Sequence, residues 1–505
     1  MAKQLILATE IRAGHPDSKK AHRTDFYYAQ LANRLLDDFI KTKVNLDKET
    51  PAILHYAALS LACYMEDIVA DSGQWRMFSD LCRKMFGEPV PMYHHDEEEY
   101  YPDEPNIMAV RFLIWHAASE MSEYWWNADL EELDTLANTA YRRLCDEFEK
   151  APINEQLTED IDTMLKKAGQ NHNDMRTALM WIFNNCYICN TRDSERLMAE
   201  QMEDFNKAYD DIHDESMTWY YALTKCIVAF RMGPLALYPR EYLAALATNR
   251  NFPEVARLLE EMEFTPFQAF LYEVSDDRSS LHLKCTDGKE MDVERQEITL
   301  DEKDLDECDG FGASFINYKN KWHLNGILIP MVNVAEKWDK LCDEDQHNLK
   351  DGQSIMGPEQ YLQRTGGRRL LFLKDLKEAK DFMTDKMGFS PESLTSFDID
   401  KKYDQPVTVF IDTDKKEECL RFSIGYTHCI CVPDNPYYDA AMAQKDVLQT
   451  LWRNDCISSN MVLYLLDKDY MPDLTIDKIF CKLDTLQKHK ADARFLLRYT
   501  RQSRY

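Results

Sequence analysis

The chain has 505 residues, 45% apolar and 11% aromatic, which is enough apolar material for the cores of two to four domains. Its formal net charge of −29 argues against a nucleic-acid-binding surface spread over the whole protein, because phosphate binding requires a local excess of Lys and Arg. The 14 cysteines are scattered along a long chain, which predicts free thiols in a reducing cytoplasm rather than a disulfide framework. The early apolar run at 5–8 is too short for a signal peptide, and no uninterrupted apolar window predicts a membrane span.

The first half of the chain is predicted to be almost entirely helical after an irregular arm at 1–20. Apolar residues recur at helical spacing, and Thr50-Pro51, Pro105 and Asp129 are typical of helix starts. The segment 53–69 is apolar on nearly every face and is expected at the centre of a helical domain. The predicted helices cover 25–40, 51–69, 75–86, 105–126, 129–148, 155–168, 174–189, 194–213, 215–232, 239–248 and 253–263.

The stretch 264–330 changes character and predicts short antiparallel strands. Leu281, Leu283 and Cys285 alternate with polar residues, the period of a half-buried strand, and Asp287-Gly288 is a strong hairpin signal. Strands are predicted at 270–274, 281–285, 291–293, 313–318 and 321–329. Because a lone hairpin is marginal in water, these strands must pack on each other or on a helical face.

The C-terminal part of the chain is predicted to contain both helices and strands. A polar linker is expected at 337–367, helices at 376–387, 438–453, 458–467 and 473–501, and strands at 407–411, 419–424 and 429–432. The fold class predicted is α+β and predominantly α-helical. It comprises a large N-terminal helical domain (1–263), a small antiparallel β-rich module (264–335) and a C-terminal mixed α+β domain (336–505).

Arg111 and His116 have the Arg-x4-His spacing of a class of small helical ribonucleases. In such a site His is a general acid/base and Arg stabilises the charge that develops on phosphorus. The motif is short enough to arise by chance, and the alternative is a pair of ordinary helix-surface or packing residues.

His94, His95 and Asp96, with the acidic residues that follow, are candidate ligands for a divalent metal ion, since imidazole and carboxylate suit zinc or manganese. The alternative is a solvated acidic loop, because adjacent His residues on a loop seldom form a complete coordination sphere.

Three other patterns favour structural roles. Cys186 and Cys189 have zinc spacing but lie in an apolar run without a second pair, and His428 alternates away from Cys429 and Cys431 on a predicted strand. His15-Pro16-Asp17 is the tripeptide of a J-domain loop, but no helix is predicted before it, so we discard that interpretation. Nucleotide-binding glycine motifs are absent from the sequence, and no cofactor is predicted.

Several segments together resemble a family of uncharacterised bacterial proteins, a domain of unknown function. The resemblance rests on 24–33 (TDFYYAQLAN), 63–67 (CYMED), 111–116 (RFLIWH), 428–439 (HCICVPDNPYYD) and 471–473 (MPD). It covers most of the chain, but it implies no activity and assigns no site residue.

The absence of a contiguous catalytic motif favours a cytoplasmic interaction protein that binds a protein partner, without membrane or nucleic acid. The alternatives are a hydrolase, in particular a ribonuclease using Arg111 and His116, and a metal-binding protein using His94, His95 and Asp96. The sequence leaves the oligomeric state open.

Overall fold

The computed structural model describes residues 5–93, 100–122, 126–209, 214–286, 288–350, 357–390, 394, 405–414, 419–447, 457–471 and 486–505. Within these ranges the chain is mostly helical with small antiparallel sheets, which confirms the predicted α+β class. It divides into two compact units. The first comprises Met1–Cys285, Glu290–Val332 and Ile476–Ser503, and the second comprises Thr286–Lys289, Asn333–Thr475 and Arg504–Tyr505.

Helices make up most of the first unit. They are α1 (Ala8–Ala13), α2 (Arg23–Thr42), α3 (Thr50–Ala70), α4 (Gln74–Phe86), α5 (Ile107–Met121), α6 (Glu131–Phe148), α7 (Glu155–Ala168), α8 (His172–Asn184), α9 (Arg192–Ala208), α10 (Glu215–Ala229), α11 (Pro239–Asn249), α12 (Pro253–Glu260) and α13 (Glu302–Glu307). The irregular arm predicted at 1–20 is wrong at α1, which buries Ile11 although it has only six residues. Polar caps set several starts: the Asn106 side chain accepts hydrogen bonds from the Met108 and Ala109 amides, so α5 begins at Ile107.

The helix α3 lies at the centre of this unit, as its apolar sequence predicts. Its buried residues occupy every face. Among the described residues it is also the one helix long and apolar enough to meet the length and composition of a membrane span, and 67% of the apolar window is buried inside the protein. A core helix meets the same criteria as a membrane helix.

The β region is antiparallel, as predicted, and its strands are β1 (Glu263–Phe264), β2 (Gln268–Val274), β3 (Ser280–Cys285), β4 (Glu290–Glu294), β5 (Gly310–Ala313), β6 (Phe315–Tyr318), β7 (Lys321–Leu324) and β8 (Ile329–Met331). They form a five-stranded sheet of order β4-β3-β2-β5-β8 and a three-stranded sheet of order β1-β6-β7. The single strands predicted at 313–318 and 321–329 are wrong, because each is divided between two strands that belong to different sheets. Phe270, Leu283 and Phe311 are fully buried in the shared core. The strands therefore share one apolar core.

The turn between β7 and β8 lies against α10. The Asn325 side chain donates to the Thr224 carbonyl over 3.0 Å, and Gly326 has a φ of +99°. A Cβ at Gly326 would lie 2.9 Å from the Thr224 Cβ, closer than real Cβ contacts. This position therefore requires glycine both for its backbone conformation and for its close approach to the helix.

Gly326→Ala is therefore expected to lower the free energy of unfolding by about 2–3 kcal/mol, from the strained φ and the clash together. Gly288→Ala is a matched control, because Gly288 also has a positive φ (+83°) but has no atom within 4 Å of an added Cβ. Urea denaturation measures the loss of unfolding free energy in both variants, and the difference between the two losses gives the effect of the clash. Equal losses in the two variants would contradict the close packing at Gly326.

The second unit contains α14 (Val334–Lys350), α15 (Pro358–Arg364), β9 (Leu370–Leu373), α16 (Leu376–Asp385), β10 (Val407–Ile411), β11 (Leu420–Ile424), α17 (Ala440–Val447) and α18 (Ser459–Asp467). Its sheet has the order β11-β10-β9, and all pairs are antiparallel. The predicted linker at 337–367 is wrong, since α14 and α15 occupy most of it and Tyr361 is fully buried. The strand predicted at 429–432 is also wrong: the 3-10 helix Thr427–Cys429 ends at its first residue, and 430–432 form no regular element.

The last helix, α19 (Leu486–Arg501), belongs to the first unit although it is distant in sequence. The predicted division at 263/264 and 335/336 therefore differs from the compact units, which place the helices, the β region and α19 together. The physical reason is burial: Phe495, Leu496 and Leu497 are fully buried and Tyr499 nearly so. The ring of Phe495 packs against Phe86 of α4 and Trp115 of α5.

Candidate metal centre

Two histidines and a carboxylate converge near the N-terminus, in what we call the His15 centre: His15, His22 and Asp25. His15 lies just after α1, His22 immediately precedes α2, and Asp25 is in the first turn of α2. These residues are 3%, 9% and 1% exposed. The loop between the helices thus turns two imidazoles inward.

The connector that carries His15 is held by α8 as well as by its own helix. The Trp181 indole donates to the Gly14 carbonyl over 3.0 Å, and the Asn185 amide donates to the Ala13 carbonyl over 2.7 Å. The backbone on which His15 sits is therefore fixed by contacts outside the centre.

His15 is oriented by a carboxylate in the manner of many metal-bound histidines. Its Nε2 lies 3.0 Å from Glu66 Oε2 on α3, and Glu66 Oε1 accepts 2.7 Å from the Asn154 amide. The Asn154 carbonyl oxygen in turn caps α7 at Leu157. Burial acts to lower the pKa of His15, but the adjacent Glu66 carboxylate raises it above the usual value. A hydrogen bond from Nε2 to Glu66 would leave the Nδ1 lone pair directed away from Glu66.

His22 and its neighbours bring further oxygen atoms. Asp25 Oδ2 accepts the His22 backbone amide over 2.9 Å, which leaves Oδ1 to face the ring, 3.9 Å from Nδ1. On the other side, Asp160 Oδ2 of α7 lies 3.7 Å from His22 Nε2. The His15 and His22 rings stack with centroids 5.2 Å apart. Four side chains from three segments therefore face one small region.

Buried polar atoms without a hydrogen-bond partner are concentrated here. They are His15 Nδ1, His22 Nε2, Asp25 Oδ1 and Asp160 Oδ2. Each such atom costs about 1–3 kcal/mol when it is left unsatisfied, so native proteins rarely tolerate several together. A bound cation would satisfy the His15 Nδ1 lone pair and the carboxylate oxygens at once. Its bond to His22 would replace the 3.4 Å hydrogen bond that His22 Nδ1 accepts from the Asn154 amide.

The donor spacing suits a transition ion. One ligand atom from each of His15, His22 and Asp25 lies within 4.8 Å of the other two. An ion about 2.1 Å from each ligand needs donors about 3–4 Å apart, so small side-chain rotations complete the geometry. Two imidazoles and a carboxylate are ligands typical of zinc.

The predicted pair Arg111 and His116 does not form a shared site. Residues five apart on a helix are rotated by about 140° around its axis. The Arg111 guanidinium forms an ion pair with Asp134, whereas His116 is 1% exposed and its Nδ1 lies 2.9 Å from the Tyr499 hydroxyl. Burial lowers the pKa of His116 to about 3, so the ring is neutral near pH 7 and cannot serve as a general acid.

The predicted ligands His94, His95 and Asp96 lie outside the described residues. The predicted core cysteines are found as expected: Cys186 and Cys189 are buried free thiols. His428 has a carboxylate neighbour instead of a thiol, with Nε2 3.0 Å from Asp446 Oδ2.

A cavity of about 220 Å³ lies beside the connector in the same unit. Its lining includes Ala13 and Gly14 of the connector together with Glu120 and Arg192. Glu120 accepts the Arg192 backbone amide over 2.9 Å and the Tyr499 hydroxyl over 3.1 Å, and burial raises its pKa. The connector therefore carries His15 and also lines this cavity.

The family relationship follows from comparison of the whole chain. The model of the family described as "Protein of unknown function (DUF3843)" matches residues 7–277 and 330–502. The chain belongs to the DUF3843 family. The resemblance expected from the sequence is thereby confirmed. No curated protein and no solved structure matches this DUF3843 protein.

All residues of the His15 centre lie within the first matched range of the DUF3843 model. Sequence reasoning missed them because His15 was considered only as part of a J-domain tripeptide. A usable signal was present: Glu66 and Asp67 interrupt an otherwise apolar helix, and acidic residues buried in a core need partners.

Proposed function

We propose that this DUF3843 protein binds one divalent transition metal ion, zinc in the first instance, through His15, His22 and Asp25. The main support for this proposal is that several buried nitrogen and oxygen atoms without a hydrogen-bond partner lie in the His15 centre. The Glu66 carboxylate behind His15 is the expected outer partner of a metal-bound imidazole.

The proposed ion has a structural role. Its ligands lie on the connector after α1 and at the start of α2, while Asp160 of α7 faces the same region. An ion there would fasten the connector to the helices around it and hold the cavity wall at Ala13 and Gly14 in place. The low exposure of all three ligands fits a closed structural site better than an open catalytic one.

Metal analysis of purified protein tests the proposal. Protein stripped with a chelator and reloaded with zinc is expected to retain an equivalent at the His15 centre after desalting. The double variant His15→Ala/His22→Ala is expected to lose that equivalent. His55→Ala is the matched control, because His55 also pairs with a carboxylate, Glu10, at 3.0 Å, but has no place in the centre.

Asp25→Asn keeps the volume of the side chain and one acceptor oxygen for the His22 amide. The variant therefore removes the carboxylate ligand while it preserves the fold. It is expected to weaken zinc binding while circular dichroism stays unchanged. At free zinc 100-fold above Kd, the wild-type protein should gain about 2.7 kcal/mol in unfolding free energy, and the double variant should gain less. Zinc retention by the double variant equal to that of wild type would overturn the proposal, as would a wild-type protein that takes up no metal.

The predicted interaction role, protein partner and cytoplasmic location stay predictions. The hydrolase alternative has lost its support at Arg111 and His116, because His116 is buried and neutral. The metal-binding class keeps support, but at residues other than His94, His95 and Asp96.

A further inference from the structure

A second cluster of two histidines and a carboxylate lies at the junction of helices and strands. It consists of His172, Glu297 and His323, which we call the His323 site, and one ligand atom from each lies within 4.8 Å of the others. His172 is the first residue of α8, Glu297 ends the 3-10 helix Arg295–Glu297, and His323 lies in β7. Three elements distant in sequence therefore meet there.

The carboxylate of Glu297 spans the two imidazoles. Its Oε1 lies 3.0 Å from His323 Nδ1 and its Oε2 lies 3.8 Å from His172 Nε2. The two rings stack with centroids 4.0 Å apart. His323 Nδ1 is buried, yet its contact with Glu297 does not have hydrogen-bond geometry. A ring nitrogen is thus left without a hydrogen-bond partner beside a carboxylate and a second imidazole.

Contacts that involve none of the three side chains hold the elements together. The Tyr318 hydroxyl donates to the Ala168 carbonyl over 3.0 Å, and the Lys319 ammonium donates to the Gly169 carbonyl over 2.8 Å. These bonds clamp the β6–β7 turn to the end of α7, three to four residues before His172. The Asn171 side chain then caps α8 by accepting the Asp174 amide. The ligand positions are therefore set by the scaffold, as a metal site requires.

The exposure of the three side chains also suits a metal ion. The three side chains are 13–16% exposed, in contrast to the nearly closed His15 centre. Solvent can therefore reach an ion held by them.

We propose that His172, Glu297 and His323 form a second divalent metal site, with at least one coordination position open to water or a small anion. Two imidazoles and one carboxylate suit zinc, cobalt or nickel, and three protein ligands leave a position free in a tetrahedral ion. Glu297 and His323 lie between the two ranges that match the DUF3843 model. This site therefore includes residues outside the matched ranges, whereas the His15 centre lies within them.

Titration of metal-free protein with Co²⁺, followed by its visible absorption and by calorimetry, tests the second site. Wild type is expected to bind two equivalents, and His323→Ala and Glu297→Gln are each expected to bind one. His282→Ala is the matched control, because His282 also lies on a strand beside carboxylates, 2.9 Å from Asp292, but is well exposed. It should bind as wild type does.

The outcome separates this proposal from the first one. If only the His323 site is real, wild type binds one equivalent, which His323→Ala removes and His15→Ala/His22→Ala does not. Azide added to the cobalt-loaded double variant His15→Ala/His22→Ala should alter the absorption spectrum, because the open position accepts an anion. Undiminished binding by both His323→Ala and Glu297→Gln would overturn the second site, and an unchanged azide spectrum would overturn its open position.

Discussion

Replacing Phe495 by alanine is expected to lower the unfolding free energy of the first unit by about 3–5 kcal/mol, the range for large aromatic side chains removed from a packed core. Phe495 is fully buried on α19. Its ring centroid lies 5.8 Å from Phe86, 5.9 Å from Phe112 and 5.6 Å from Tyr499. Truncation leaves a cavity among these rings, and the rigid aromatic neighbours cannot collapse to fill it.

Urea denaturation followed by tryptophan fluorescence measures this effect, because Trp115 packs against Phe495. Two compact units need not unfold together, so the transition reported by this fluorescence is the relevant one. Phe26→Ala is the control: Phe26 is 63% exposed on α2, and its loss should change stability by no more than about 0.5 kcal/mol. Equal midpoints for the two variants would contradict the docking of α19 on α4 and α5.

Asp67→Ala is expected to lower the unfolding free energy by about 3–5 kcal/mol, since it removes the acceptor of several buried hydrogen bonds. Asp67 Oδ2 accepts the Trp75 amide over 2.5 Å and the Tyr187 hydroxyl over 3.1 Å. Asp67 Oδ1 accepts the Ser72 hydroxyl and the Gln74 amide. Burial raises the pKa of Asp67 above its usual value, although these donors oppose the rise.

A second variant, Asp67→Asn, distinguishes the loss of one acceptor oxygen from the loss of both. Asp67→Asn retains one acceptor oxygen, but its NH2 group faces the donors that bonded the second carboxylate oxygen. An intermediate loss of unfolding free energy is therefore expected. Glu254→Ala is the surface control, because Glu254 forms a solvent-exposed pair with Arg257, and such pairs contribute little to stability. Chemical denaturation compares the three. A loss at Asp67→Ala no larger than at Glu254→Ala would contradict its role in joining α3 to the start of α4.

Local pattern predicted most of the elements correctly, and the errors share a cause. Helices α2 to α12 and the strands of the β region follow from apolar periodicity and turn residues, which depend on near neighbours in sequence. The linker predicted at 337–367 is wrong because the polar composition of α14 and α15 is also typical of an exposed loop. The strand predicted at 429–432 failed because an apolar run of that length does not distinguish a strand from a 3-10 turn.

In the candidate sites too, closeness in sequence and closeness in space are different things. Arg111 and His116 are near each other in sequence, but the helix turns them apart and the core encloses His116. His15, Glu66 and Asp160 are far apart in sequence, and the packing of α2, α3 and α7 brings them together. His323 and His172 are also far apart in sequence, and they meet where Tyr318 and Lys319 donate hydrogen bonds from a β turn to the end of α7.

By itself, the amino-acid sequence determined the helical character of the first half, the strands of 264–330 and the family, since each of these is written in short-range pattern. Only the tertiary structure decided which unit α19 joins, which histidines are buried and which imidazoles face carboxylates. The reason is that burial and convergence depend on contacts between segments tens to hundreds of residues apart. The apolar periodicity of a sequence predicts on which face of a helix or strand a side chain lies. It does not predict which other element packs against that face.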